Sequence, residues 1–220
     1  HLQLMMRRYK VDNVPVLSSI IIQQCNLIHI DLLKCEGVFD EDDEAFAAIC
    51  MLSDSKVLKI NVDGLSNFIF KENFHKLDKL EELEIESVEQ NFSSLVDNIE
   101  ELSNTSLPFL KKLRIEIGFL NIPIERIERM GRNFPVLTSF NLTTDCSLPI
   151  DVYLRNFKLL QHISINYHYN RNFSTVCDDN KDEKFLTLKH LHLEGFTFGS
   201  DDVNLNEYKL NQLIEKMPKI

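Results

Sequence analysis

No run of apolar residues in the chain reaches the roughly eighteen needed to span a bilayer as a helix, and the opening residues lack the charged-then-apolar plan of a secretion signal. No membrane span or membrane partner is expected. Cysteine is sparse: Cys25, Cys35, Cys50, Cys146 and Cys177 are odd in number, irregularly spaced and without a CxxC pair. That excludes a disulfide framework and a zinc finger, and reduced thiols in an intracellular setting, cytoplasm or nucleus, are expected. A basic excess is also missing. With 34 acidic against 24 basic side chains the net charge is −10, so the dense cationic surface that phosphate binding needs is absent and no nucleic acid is expected as a partner.

Catalytic signatures are missing as well. The chain has no glycine-rich phosphate loop, no GxSxG elbow and no HExxH. The pairs Glu81-Glu82 and Glu100-Glu101 fall on strand and helix surfaces with no apolar pocket to raise a carboxyl pKa. The acidic tract Cys177-Asp178-Asp179 with Asp182 and Glu183 lacks the spaced ligands and the glycine of a calcium-binding hand. A non-enzymatic chain without cofactor or metal is therefore expected.

What is present is a repeat. The 220 residues are 44% hydrophobic, enough for a sizeable core, and the apolar residues recur in one template, LxxLxL with other aliphatics or Phe allowed. The template appears as LIHIDL from Leu27, VLKINV from Val57, LEELEI from Leu80, LKKLRI from Leu110, LTSFNL from Leu137, LQHISI from Leu160 and LKHLHL from Leu188. Successive starts lie 23 to 30 residues apart, close to the leucine-rich period of about 20–29. HLQL at residues 1–4 reads as the tail of a further core, with Leu2 and Leu4 in the places of Leu191 and Leu193, and MPKI at the other end reads as the approach to one more. Residues 1–220 are thus expected to form one unit of about seven repeats with partial repeats at both ends, a fragment of a longer protein.

Between the cores, amphipathic stretches at 41–52, 70–77, 93–102, 124–134 and 205–217 carry apolar residues at three- and four-residue steps, which predicts helices. Pro123 suits the first turn of one, Ser93 or Ser94 an N-cap, and Pro108, Pro135 and Pro218 follow helix ends. The polar stretch 170–184 reads instead as a protruding loop. The fold class that follows is α/β, a curved leucine-rich-repeat solenoid with a parallel concave sheet and helices on the convex side.

Within each core the first, fourth and sixth residues point inward, because alternate strand residues share a face. The others face outward and form the column where a protein ligand is expected: Asp31, Asn61, Glu82, Glu84, Lys112, Arg114, Asn141, His162, His190 and His192, with His29, Lys59, Ser139 and Ser164 beside them. Glu82/Glu84 and Lys112/Arg114 are the leading contact candidates. Their alternative is pairing across neighbouring strands, about 4.8 Å apart, which would merely solubilise the sheet. His162, His190 and His192 share a face and could converge on zinc, but no fourth ligand is evident.

The first core reads CNLIHIDLLKC, and its Cys-Asn-Leu opening and closing Cys35 resemble the cysteine-containing leucine-rich repeats of F-box proteins, of the ribonuclease-inhibitor-like type. KLEELEIESV and TLKHLHLEGF are similar, and the resemblance covers nearly the whole chain. It implies the substrate-binding arm of an SCF-type ubiquitin-ligase receptor, with the SCF adaptor held by an F-box outside this chain. Two other readings stand beside it: a repeat scaffold with no ligase link, or a secreted recognition or effector protein. Secretion would make Asn91, Asn104, Asn141 and Asn172 glycosylation acceptors. The Asn ladder of extracellular repeats, however, is replaced here by Cys35, Leu65, Val88 and Gly118.

Overall fold

An LxxLxL core buries all three apolar residues when its last four residues are extended and the first sits in the turn before them. That is the arrangement of the cores from Leu80, Leu110, Leu137, Leu160 and Leu188, whereas in LIHIDL Leu27 already opens its strand. The computed structural model describes residues 2–10, 19, 21, 23, 27–36, 43–63, 65, 71–87, 99–117, 122–144, 150–172, 187–197, 211 and 215. Among the described residues eight strands form a single sheet: β1 Leu2–Lys10, β2 Leu27–Glu36, β3 Val57–Asn61, β4 Glu82–Ser87, β5 Lys112–Ile117, β6 Ser139–Thr144, β7 His162–Asn172 and β8 His190–Thr197. Each strand pairs in parallel with the next in sequence, so spatial order and chain order coincide. The fold is an all-parallel α/β sheet.

Register is set by burial. Leu58, Leu83, Leu113, Phe140 and Ile163 stand opposite one another on consecutive strands, as do Ile60, Ile85, Ile115, Leu142 and Ile165. All ten are at most 2% exposed. Burying each such side chain is worth about 1.5–3 kcal/mol, and a slip of one residue would turn every one to the opposite face. Leu80, Leu110, Leu137, Leu160 and Leu188, which lead their cores, are buried in the same cluster.

The turns repeat as faithfully as the strands. Before β3 to β7 a buried residue accepts a hydrogen bond from the backbone N–H three residues on: Leu52 from Ser55, Leu77 from Leu80, Leu107 from Leu110, Phe134 from Leu137 and Phe157 from Leu160, at 2.9–3.2 Å. The residue just before each strand then links neighbours. The carbonyls of Lys56, Glu81, Lys111, Thr138 and Gln161 each accept two consecutive N–H groups from the following segment, at 2.8–3.1 Å. Backbone groups at a strand end would otherwise lack partners, and here the neighbouring segment supplies them.

Helices α1 Asp43–Cys50, α2 Ile124–Asn133 and α3 Ile150–Asn156 pack on the face that the apolar strand residues cover. Burial pushes the Cys50 thiol well above its ordinary range, leaving it a packing residue rather than a nucleophile. Residues 99–104 are helical, and Asn133 at the end of α2 donates to the Ser103 carbonyl while accepting from the Leu107 N–H. Close approach of α2 to α3 depends on Gly131. A Cβ there would sit 2.6 Å from the Asn156 carbonyl oxygen and 3.0 Å from its carbonyl carbon. No helix among the described residues is long and apolar enough to cross a membrane.

Five expectations need correction. Asn170, Arg171 and Asn172 do not open a loop; they continue β7, with Arg171 opposite Phe196 and Asn172 opposite Thr197, because the β8 backbone offers them a partner whatever their side chains. HLQL is displaced: Leu4 stands opposite Ile30, the position of Leu191 rather than Leu193, and across a register shift Leu2 lies opposite Leu27, the position of Leu188. The core written from Val57 is framed two residues late: Leu58 stands opposite Leu83 and Ile60 opposite Ile85, so buried Ser55 takes the leading place and Val57 lies opposite Glu82. Of the helix expected over 70–77, residues 71–73 are helical and continue into a 3-10 helix at Phe74–Lys76, while residue 70 lies outside the described residues. Pro123 is the extended residue that precedes α2 rather than part of its first turn. Ser93, Ser94, Pro218, the tract from 173 to 186 and most of 205–217 lie outside the described residues, though Asn211 and Glu215 are helical.

Candidate functional site

Strand alternation turns one residue in two away from the core, so the outward sheet face is lined by the residues singled out as contacts. The structure brings them together in two different halves. On β3 to β5 the charges pair with each other. The Lys59 ammonium lies 3.1 Å from Glu82 and 2.8 Å from Glu84, Lys112 lies 3.2 Å from Glu82, and Arg114 reaches Glu84 at 3.2 Å and Glu116 at 2.6 Å. Glu82, Glu84, Lys112 and Arg114 thus pair across neighbouring strands, with Lys59 between the two glutamates.

The electrostatics follow from this ladder. Burial pulls Lys59 down, but the hydrogen bonds and charges of Glu84 and Glu82 outweigh it and hold the ammonium above its usual range. Burial raises Glu82, and Lys59 with Lys112 more than offsets it, leaving the carboxyl below its usual range. Arg114 is lowered by burial and raised further by Glu116 and Glu84. Glu84 is only 8% exposed, so it is the least available of the four to an incoming ligand.

Just before the strands runs a second triad that charge patterning within single cores does not reveal: Glu81 bridges Lys111 at 2.6 Å and Lys56 at 2.7 Å. Those hydrogen bonds hold the Glu81 carboxyl at about 2, against an ordinary 4.5. A depressed carboxyl contributes stability above its unfolded value and loses it as pH falls through the folded one. Replacing Glu81 with Gln is therefore expected to flatten the loss of stability between pH 4.5 and pH 2. Urea midpoints measured across that window check it, and identical slopes in the two proteins would refute the bridge.

On β6 to β8 the outward residues are neutral or imidazole-bearing except for Glu194, and fewer of them are paired. Ser139, Asn141 and Ser164 are half-buried, His162, His190 and His192 exposed, and among the described residues the side chains of Asn141, Ser164 and His190 make no hydrogen bond or ion pair. His162 and His190 stack as parallel rings, 4.6 Å between centroids and 15° apart, while His192 lies 3.6 Å from Glu194. Stacked faces turn towards each other and leave the ring edges, which carry the nitrogens, to solvent. Among the described residues no cluster of three His, Cys, Asp or Glu is placed to hold a metal ion.

One residue that the contact column omitted belongs here. Asn166, on β7 between Thr143 and Glu194, keeps its Oδ1 buried with no hydrogen-bond partner. Such an atom costs about 1–3 kcal/mol until a donor reaches it. Extending the outward alternation from Ser164 by two residues would have found it. Asp31 and Asn61, by contrast, are turned to local work, accepting the backbone N–H groups of Leu33 at 3.4 Å and Asp63 at 2.8 Å. His29 is half-buried with an unpartnered Nε2. No protein-family model matches the chain, and no curated protein matches it.

Proposed function

We propose that the chain is a ribonuclease-inhibitor-like leucine-rich-repeat solenoid whose outward sheet face, the concave side of a horseshoe, binds a protein ligand. Its role is recognition rather than catalysis, as the substrate-binding arm of an F-box receptor in an SCF-type ubiquitin ligase, working inside the cell. The ligase assignment rests on the resemblance of CNLIHIDLLKC to F-box repeats. The repeat reading is supported by eight parallel strands in chain order and by LxxLxL residues that align from β4 to β8.

The observation that carries the ligand site is the division of the outward face. Contacting the β3 to β5 ladder would mean desolvating charges that already satisfy one another. The β6 to β8 half offers donors and acceptors without a hydrogen-bond partner among the described residues at Asn141, Ser164, Asn166, His162 and His190. Binding is therefore centred there, and Glu82, Glu84, Lys112 and Arg114 form its rim.

Affinity capture with the full-length protein, read by mass spectrometry, should recover the SCF adaptor and cullin together with candidate substrates. For a substrate so identified, alanine at His162 and His190 is expected to weaken binding about tenfold or more, and Lys112→Ala by less than about threefold. Partners recovered without adaptor or cullin would replace the ligase role with that of a repeat scaffold. Loss at Lys112 with none at the histidines would move the site to the charged half.

A further inference from the structure

The turns before β4 to β7 share one hydrogen-bonded geometry, so their two central residues project from the same edge of the sheet. Along that edge the pairs read Asp78-Lys79, Pro108-Phe109, Pro135-Val136 and Lys158-Leu159. Phe109 is 56% and Leu159 46% exposed, with Val136 half-buried between them. Strands about 4.8 Å apart make these three a continuous apolar strip rather than scattered residues. The fold does not require it: the same turn before β3 is built with Ser53-Asp54, and the one before β4 with Asp78-Lys79.

Charge around the strip is asymmetric. Towards β4 the lysines are spent, Lys79 on Asp54 at 2.6 Å and Lys111 on Glu81 at 2.6 Å. Towards β8, Lys158 and Lys189 are exposed and make no ion pair among the described residues. We propose that this edge docks an acidic, apolar-anchored segment of a partner protein: two or three apolar side chains cover Phe109, Val136 and Leu159, and carboxylates that follow meet Lys158 and Lys189. A short acidic segment meets only the two local lysines, whereas an anionic lipid surface also faces the rest of a molecule of net charge −10, which favours a protein segment as the occupant. This surface is separate from the outward sheet face and stands whether or not that face binds a substrate.

The test is selection of a displayed random-peptide library on the full chain, with the double variant Phe109→Ser/Leu159→Ser as counter-selection, followed by fluorescence anisotropy of the enriched peptides. Both replaced side chains are exposed, and a melting curve establishes that the variant stays folded. Enriched peptides are expected to combine apolar residues with Asp or Glu, and to lose about tenfold or more in affinity on the double variant. Lys158→Glu/Lys189→Glu should weaken them by a similar factor, and added salt should weaken binding to the unsubstituted chain more than to this variant. No enrichment, enriched peptides without acidic residues, or affinity unchanged in both variants would overturn the proposal. So would capture of phosphatidylserine vesicles that both variants abolish when no peptide is enriched, which would make the edge a lipid contact.

Discussion

Leu113→Asp abolishes the folded state around β5 and is expected to remove at least about 4 kcal/mol of stability. Leu113 is 1% exposed and sits between Leu83 and Phe140 in the stacked row, so a carboxylate there has apolar neighbours on both strands and no donor to meet it. An uncompensated buried charge costs far more than the lost methyl groups, and protonation to escape that cost still leaves a polar group in the core. Arg114, one residue on, points the other way and is exposed, so Arg114→Asp should change the melting midpoint little by comparison. A circular-dichroism melt of the two variants separates the faces. A Leu113→Asp curve that overlays the unsubstituted protein would mean the strand register is wrong.

Gly131→Ala is expected to destabilise the protein by about 1–3 kcal/mol, against the ordinary trend for helices. In an exposed helix the same change gains about 1 kcal/mol from propensity. Here the new methyl would lie 2.6 Å from the Asn156 carbonyl oxygen and 2.9 Å from its Cβ. Two of the three nearest atoms are backbone at the end of α3, so no rotamer change relieves the contact, and α2 and α3 must move apart. Crowding therefore outweighs propensity. Arg132→Ala, on the exposed neighbour, supplies the control, and chemical denaturation of both reads the difference. Stabilisation by Gly131→Ala would show the two helices to be further apart than this structure has them.

Strand positions were legible in the sequence because burial there depends on local alternation alone: once Leu80, Leu83 and Ile85 are assigned to one face, Glu82 and Glu84 must take the other. Which outward residues bind and which pair is a property of neighbours in space. Lys59 lies 23 residues and more before Glu82, yet it stands beside Glu82 and Glu84 because consecutive strands are stacked. Gly131 was opaque for the same reason, since its constraint comes from Asn156 on another helix. The polar residues 170–172 misled because hydrophobic pattern reports burial, and an extended strand at the margin of a sheet needs only backbone partners. The apolar turn pairs were hidden by their own local logic: Pro108 and Pro135 are good turn residues, and nothing in a single turn reveals that Phe109, Val136 and Leu159 line up.

The doubly accepting carbonyls of Lys56, Glu81, Lys111, Thr138 and Gln161 have a further consequence. The two N–H bonds at each carbonyl use backbone atoms only, so lysine, glutamate, threonine and glutamine all occur there, and side-chain bridges such as Glu81 to Lys56 and Lys111 are added to them. A backbone seam of this kind recurs unchanged between segments of different sequence, so a strand-and-turn segment added or lost would keep this part of its joint, and the outward face would gain or shed a row of contacts with it.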